Sequence, residues 1–264
     1  MKCVLSLTTT PTRIQHIHKL LVMMPDLDCF DEIHINVPRI FRRTSTPYEI
    51  PKNIEKYVHI VDDDLGPATK IVHTIERLKN PNDIVVSVDD DNLLPQGLLN
   101  KLIEQCKVHD CVITGLGKYL SYWNLPRMHP FRMKLESSKC VDLIEGWSGV
   151  AYRKKHLDTA WVRRILQNSC TECFVSDDLV LSAAIHLKGY SIQTLSSTHP
   201  RRQNQLARTI HELPWSHGSD AIHRGAGSSK TYEGHEQNGM DAHYDNYKRC
   251  LDQIARLATN MPKQ

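Results

Sequence analysis

The run Ile84-Val85-Val86-Ser87-Val88-Asp89-Asp90-Asp91-Asn92 places three carboxylates directly after a β-branched stretch bounded by turn residues. Such a stretch suits a strand covered on both faces of a sheet. Neighbouring carboxylates repel one another unless positive charge sits among them, and a divalent cation is an economical source of it. Mg²⁺ and Mn²⁺ favour oxygen ligands and are commonly held by one or two carboxylates together with substrate phosphates. Asp89 and Asp91 share one face of an extended segment, where they can set a metal against a diphosphate. The alternative is a solvated acidic turn with Asp as the N-cap of a helix before Leu93. The pattern does not fix which of Asp89, Asp90 and Asp91 takes the metal.

A second place with ligand-like spacing is Cys170-Thr-Glu-Cys173. No second CxxC pair accompanies it and no thioredoxin-like strand precedes it, so a structural role is expected rather than zinc or redox chemistry. Eight cysteines in 264 residues fall well below the density of a disulfide scaffold. Cys3, Cys29, Cys106 and Cys111 lie in or beside apolar segments, where a free thiol packs as a small hydrophobe. Reduced thiols are the expectation.

The elements that must position these groups alternate along the chain. Val4 to Leu7 reads as a first strand, and Thr10 with Pro11 opens a helix to about Met24. Ile33 to Val37 and Val58 to Val61 read as strands. A helix from about Ala68 to Leu78 follows Gly66-Pro67, the acidic run's own strand comes next, and then a helix from Pro95 to about Lys107 and a strand from Cys111 to Thr114. Beyond residue 115, strands are expected near Val141 to Ile144, Gly149 to Tyr152 and Tyr190 to Thr194. Helices are expected over Lys155 to Leu166, Asp177 to Leu187 and about Tyr244 to Leu257. Residues 196–240 are poor in aliphatics and rich in His, Arg, Gly and Ser, which reads as a loop that closes over a ligand. The alternation predicts an α/β fold with a mostly parallel sheet flanked by helices, an extended C-terminal loop and a closing helix, its ligand site outside the carboxyl ends of the strands.

Composition narrows the function further. The chain carries 33 Lys and Arg against 30 Asp and Glu, a net charge of +3, with both signs interspersed and only 6% aromatic residues. A nucleic-acid module would need a basic stripe, so nucleic acid is not expected as a partner. The apolar run Leu20 to Met24 is far shorter than the roughly 20 residues that span a bilayer, and residues 1–10 lack the layout of a signal peptide. The expectation is a cytoplasmic protein, in a host cytoplasm if viral, with no membrane span and no obligate protein partner.

The acidic run resembles the DxD motif of GT-A glycosyltransferases, in which a Rossmann-like domain binds a sugar nucleotide through a divalent metal. Further segments match in order and cover most of the chain, loosely like viral and bacterial polysaccharide-building members. Ser6-Leu7-Thr8-Thr9-Thr10-Pro11-Thr12-Arg13 resembles the first-strand loop that holds base and ribose, implying Thr8, Thr9 and Arg13. Asp62-Asp63-Asp64-Leu65-Gly66-Pro67-Ala68-Thr69-Lys70 resembles the segment meeting base and phosphates, implying Asp62, Asp64 and Lys70. Glu145-Gly146-Trp147-Ser148-Gly149 resembles the glycine-rich lining of the sugar and acceptor pocket. Val175-Ser176-Asp177-Asp178-Leu179 resembles the acidic motif that supplies the base in inverting members. Its Asp178 matches the base position, with Asp177 beside it, and a carboxylate at a helix N-terminus is expected to stay ionised. Asp220 to Gly227 resembles the late loop in which a His completes the metal site, implying His223 as ligand and Arg224 as diphosphate partner. His199, His211 and His217 are rivals for that role.

The resemblance implies one GT-A domain over residues 1–264. Residues 1–115 would bind the nucleotide sugar through Asp89, Asp90 and their neighbours, residues 116–195 would carry acceptor and catalytic groups, and residues 196–264 would form a lid loop and helix. It implies an inverting transfer from a nucleoside diphosphate sugar, UDP-sugar foremost, to a hydroxyl of a glycan acceptor, with Mn²⁺ or Mg²⁺ on Asp89, Asp91 and His223. Rival readings are a Mg²⁺-dependent phosphohydrolase or nucleotidyltransferase, which also gathers Asp residues round a metal, and a non-enzymatic zinc module of the scattered Cys and His residues.

Overall fold

The computed structural model describes residues 1–119, 139–168, 173–174, 176–195, 205–217 and 248–256. Eight strands form the main sheet: β1 (Cys3–Thr8), β2 (Glu32–Pro38), β3 (Val58–Val61), β4 (Ile84–Ser87), β5 (Val112–Thr114), β6 (Cys140–Val141), β7 (Val150–Arg153) and β8 (Ile192–Thr194). Their order across the sheet is β6-β8-β5-β7-β4-β1-β2-β3. The pairs β1·β2, β1·β4, β2·β3 and β5·β8 are parallel, while β7 runs against both β4 and β5, and β6 against β8. The fold is therefore α/β with a mostly parallel sheet. Flanking the sheet are the helices α1 (Ile17–Met23), α2 (Thr69–Arg77), α3 (Leu98–Val108), α4 (Thr159–Asn168) and α5 (Asp177–Leu187).

Alternation along β1 explains why helices cover both faces. Cys3, Leu5 and Leu7 pack with apolar residues of α1 and α3, among them Ile17, Leu20, Leu99 and Leu102. Val4 points the other way, into a core built with Ile71 and Ile75 of α2, Val162 of α4 and Leu181 of α5. Each such fully buried aliphatic side chain contributes about 1.5–3 kcal/mol, and period-two burial on a sheet with two covered faces needs two helical layers. Among the described residues, no helix is long and apolar enough to cross a membrane.

Several boundaries differ from the sequence expectation. The helix expected from Thr10 starts later, as a 3₁₀ turn at Ile14–His16 leading into α1, because residues 11–13 form the turn that carries Arg13 inward. The helix expected at Pro95 begins at Leu98, after Gly97 at φ +80°. The single strand expected at Val141 to Ile144 is split, with β6 in the main sheet and Leu143–Ile144 paired to Gly117–Lys118. Helix α5 has the expected bounds, and residues 248–256 of the expected closing helix are helical.

The cysteine expectation is corrected at one pair. Cys173 forms a disulfide with Cys250, across a sequence separation of 77. The partner of Cys173 is thus a distant helix, which local spacing could not show, and the cysteines give no support to a reducing compartment. Cys3, Cys106 and Cys111 are free and buried in the core, as expected of small hydrophobes.

Candidate active site

The carboxyl edge of the sheet opens into a cleft of about 210 Å³. Thr8 at the end of β1, Pro38 at the end of β2, Asp64 after β3 and Asp89 after β4 reach it from parallel strands, and Trp147 reaches it just before the reversed strand β7. The opposite direction of β7 is what brings the 145–149 segment to this edge.

The three carboxylates after β4 have different surroundings. Asp90 is buried, with one oxygen taking the Thr9 hydroxyl at 2.6 Å and the other the Arg13 guanidinium at 2.8 Å. Burial raises its pKa, against the pull of Arg13 and Thr9. Asp91 accepts from Arg13 at 2.9 Å and from the Asn92 amide at 2.8 Å; burial, then Asp90 and Asp89, push its carboxyl up to about 7. Asp89 is 30% exposed and pairs with the Lys70 ammonium at 2.8 Å. Both oxygens of Asp90 and both of Asp91 thus accept hydrogen bonds within the protein, and Asp89 is the most exposed of the three. The helix-cap alternative does not fit, since Asn92–Leu93 is a short strand paired with His211–Glu212.

Lys70, the second residue of α2, is 4% exposed and lies between the two acidic motifs, 2.8 Å from Asp89 and 3.2 Å from Asp177. Burial opposes its charge, but Asp177, Asp89 and Asp178 outweigh burial and hold its pKa well above the ordinary lysine value. A polar network fixes its backbone. Its carbonyl accepts from the Ser6 hydroxyl, and Asn36 donates to that same carbonyl at 3.3 Å and to Thr74 at 2.9 Å. Buried polar groups satisfied in this way define one docking of α2 on β1 and β2.

At the start of α5, Ser176 stands at the N-cap without a capping side-chain bond. The Asp178 carboxylate instead accepts the Gly146 N–H on both oxygens, at 3.1 and 3.0 Å. Contrary to the expectation of a carboxylate readily ionised by the helix terminus, burial and then the charge of Asp177 raise the Asp178 pKa well above the ordinary range. Burial likewise raises Asp177, with Lys70 opposing. A raised carboxylate is a stronger proton acceptor once ionised.

Thr8, Thr9, Arg13, Asp64, Lys70, Asp89, Asp90, Asp91, Trp147, Asp177 and Asp178 all line the cleft. Thr8 donates its hydroxyl to the Asn36 carbonyl, and Asp64 accepts the backbone N–H groups of Arg42 and Gly66. Asp62 points away, its side chain 94% exposed beside Arg39. Glu145 pairs with Lys118 at 2.5 Å, and Gly146 enters through its N–H. His211 is exposed in its strand. His223, Arg224 and His199 lie outside the described residues, as does most of the expected lid.

Carboxyl groups outnumber cations here: Asp64, Asp89, Asp90, Asp91, Asp177 and Asp178 share the cleft with Arg13, Arg43 and Lys70. Oxygen donors in that number suit a hard divalent cation. Among the described residues, no three His, Cys, Asp or Glu side chains converge as a metal-binding group.

No protein-family model matches the chain, and no curated protein matches it. Among solved structures it is similar to S. aureus TarS at 13% identity, covering 74% of this chain and 35% of that chain, with a TM-score of 0.43. It is also similar to S. aureus TarS 1-349 at 12% identity, covering 97% of this chain and 92% of that one, with a TM-score of 0.38. The chain thus spans about a third of the first protein's length. Both scores are low, and the functional reading rests on the cleft itself.

Sequence reasoning missed one wall of the cleft. Phe41, Arg43 and Tyr48 line it from the excursion after β2, where Ile40–Phe41 pairs with Thr46–Pro47. Tyr48 donates its hydroxyl to the Thr9 carbonyl at 2.8 Å, and Arg43 lies 5.5 Å over the Phe41 ring. The signal was available: Pro38-Arg39-Ile40-Phe41-Arg42-Arg43 is an arginine and aromatic run just after a parallel strand, where ligand sites of such sheets lie.

Proposed function

We propose that the chain is a metal-dependent inverting glycosyltransferase that moves a sugar from a nucleoside diphosphate sugar, UDP-sugar foremost, to a hydroxyl of a glycan acceptor. The observation that carries this reading is one cleft shared by Asp178, fixed on the Gly146 N–H, and by Asp89 and Asp91 at the carboxyl edge of the sheet. It agrees with the order of motifs in the sequence.

In this reading Asp89 and Asp91 hold Mn²⁺ or Mg²⁺ with the donor diphosphate, His223 being the candidate for a further ligand. When bound, the metal supplies positive charge to the departing nucleoside diphosphate. Lys70 adds a buried positive charge beside Asp89, and Arg224 is the candidate diphosphate partner from the later segment. Asp178 accepts the proton of the acceptor hydroxyl as its oxygen bonds to the anomeric carbon and the bond to the diphosphate breaks. Trp147 offers an apolar face to a sugar ring. The phosphohydrolase reading is less well served, since a nucleophilic Asp of the haloacid-dehalogenase kind would follow β1, where Thr8 to Thr10 stand.

Thermal shift with UDP, GDP and pyrophosphate, each with and without Mn²⁺, separates the readings. A shift specific to a nucleoside diphosphate and enhanced by Mn²⁺ supports the transferase. A shift with pyrophosphate alone, equal to that with UDP, favours the phosphohydrolase.

A further inference from the structure

Residues 205–217 belong to a stretch that composition alone suggests is a loose lid, yet they dock on the acidic run. His211–Glu212 pairs antiparallel with Asn92–Leu93. Leu213 donates its N–H to the Asp91 carbonyl at 2.8 Å, and Trp215 donates its indole N–H to the Asp90 carbonyl at 2.9 Å. The Trp215 ring stacks on His16, 4.8 Å between centroids and 10° from parallel. From the other side comes Arg13. Its guanidinium donates to the Asp90 and Asp91 carboxylates and, at 3.0 Å, to the Ser216 carbonyl.

Three adjacent carboxylates aimed by a short turn will spread apart by repulsion unless both backbone and side chains are held. Here the backbone carbonyls of Asp90 and Asp91 are held from residues 213 and 215, and the carboxylates from Arg13 and Thr9. Arg13 joins the two sets, since one planar guanidinium reaches both carboxylates and the docked segment, a geometry that a lysine point charge cannot copy.

We infer that Trp215 and Arg13 are positioning residues, a clamp that fixes Asp90 as a pivot and so aims Asp89 and Asp91 into the cleft. This rests on the reading of that cleft as a metal and nucleotide site. Preorganised carboxylates bind a cation without first being gathered. Loss of the clamp therefore weakens the metal-dependent part of nucleotide binding and spares the part that does not involve the acidic run.

Calorimetric titration of UDP with Mn²⁺ and again in EDTA tests this on wild type, Trp215→Phe and His16→Ala, each checked by circular dichroism and melting. Trp215→Phe keeps the ring but removes the donor, and His16→Ala removes the ring on which Trp215 stacks. Both are expected to weaken UDP binding roughly three- to ten-fold with Mn²⁺, the value of one hydrogen bond or one stacked ring pair, and less than about two-fold in EDTA. Equal weakening in both media, or none in either variant, overturns the clamp. Wild-type binding indifferent to Mn²⁺ overturns the metal reading beneath it, which is a separate result.

Discussion

The Gly146 N–H and the Asp178 carboxylate form a two-pronged contact, 3.1 and 3.0 Å to the two oxygens. That contact demands glycine. A Cβ at position 146 would lie 2.7 Å from Asp178 Oδ1 and 3.1 Å from Lys70 Nζ, so a methyl group there must push the proposed base aside. Gly146→Ala is expected to lower turnover by about 10²-fold, the usual cost of displacing a catalytic group by about 1 Å. Steady-state kinetics beside a melting curve check it; wild-type turnover in a folded variant would contradict the assigned role of this contact.

Lys70 gives a prediction about stability. Its ammonium sits within ion-pair distance of Asp89 and Asp177 with only 4% of its side chain exposed. Removing one partner of such a buried group leaves uncompensated charge and costs about 3–5 kcal/mol. In Lys70→Met the Asp177 carboxyl, already raised by burial, loses the charge that opposes that rise and should be raised further. A carboxyl whose folded pKa exceeds its unfolded value loses stability as pH rises, so the deficit should be larger at pH 8 than at pH 5. Urea unfolding of both proteins at the two pH values measures it.

The Cys173–Cys250 bond ties the helix at residues 248–256 to the segment just before α5. Both cysteines are buried, and Leu251 and Ile254 pack in the core shared with α5. Breaking the bond by Cys250→Ser should cost about 2–4 kcal/mol of stability. The check is urea unfolding with and without reductant: wild type should fall to the level of Cys250→Ser under dithiothreitol, and the variant should not respond.

Buried histidines should make the fold sensitive to mild acid. His186 donates from Nε2 to the Asp142 carbonyl at 2.8 Å, and burial, opposed by that bond, lowers its pKa below the ordinary 6.5. The unfolded chain then binds the proton first. Stability is retained above pH 6.5 and falls below it, by up to about 1.4 kcal/mol per pH unit until the folded pKa is reached. His186→Gln keeps an N–H for the carbonyl and does not titrate, so its stability relative to wild type should rise between pH 6.5 and 5. Parallel pH curves for the two proteins would sink the prediction.

What the sequence disclosed, and what it concealed, follows range of contact. Strand β4 and helix α5 were legible because local signals agree: a β-branched run ending in charge, and two acids opening an apolar helix. Both acidic motifs could be read, but not that Lys70 would stand between them. The partner of Trp215 lies 125 positions away and that of Cys173 77 positions away, and no local pattern encodes such pairings. Poverty of aliphatics over residues 196–240 misled at residues 205–217, where Ile210 and Leu213 are buried in the core, Leu206 and Trp215 pack against it, and backbone hydrogen bonds join the segment to the acidic run. The late start of α1 has the same cause, since the turn at 11–13 serves the reach of Arg13 rather than helix propensity.

The most direct test of the proposed chemistry compares donor affinity with single-turnover transfer in Asp178→Asn, using the nucleotide sugar that wild type consumes with Mn²⁺. The amide keeps the shape of the side chain, so donor affinity should stay within about two-fold, while transfer should fall by roughly 10²- to 10⁴-fold with the base gone. Transfer near the wild-type rate would contradict Asp178 as the proton acceptor and with it the central claim about this cleft.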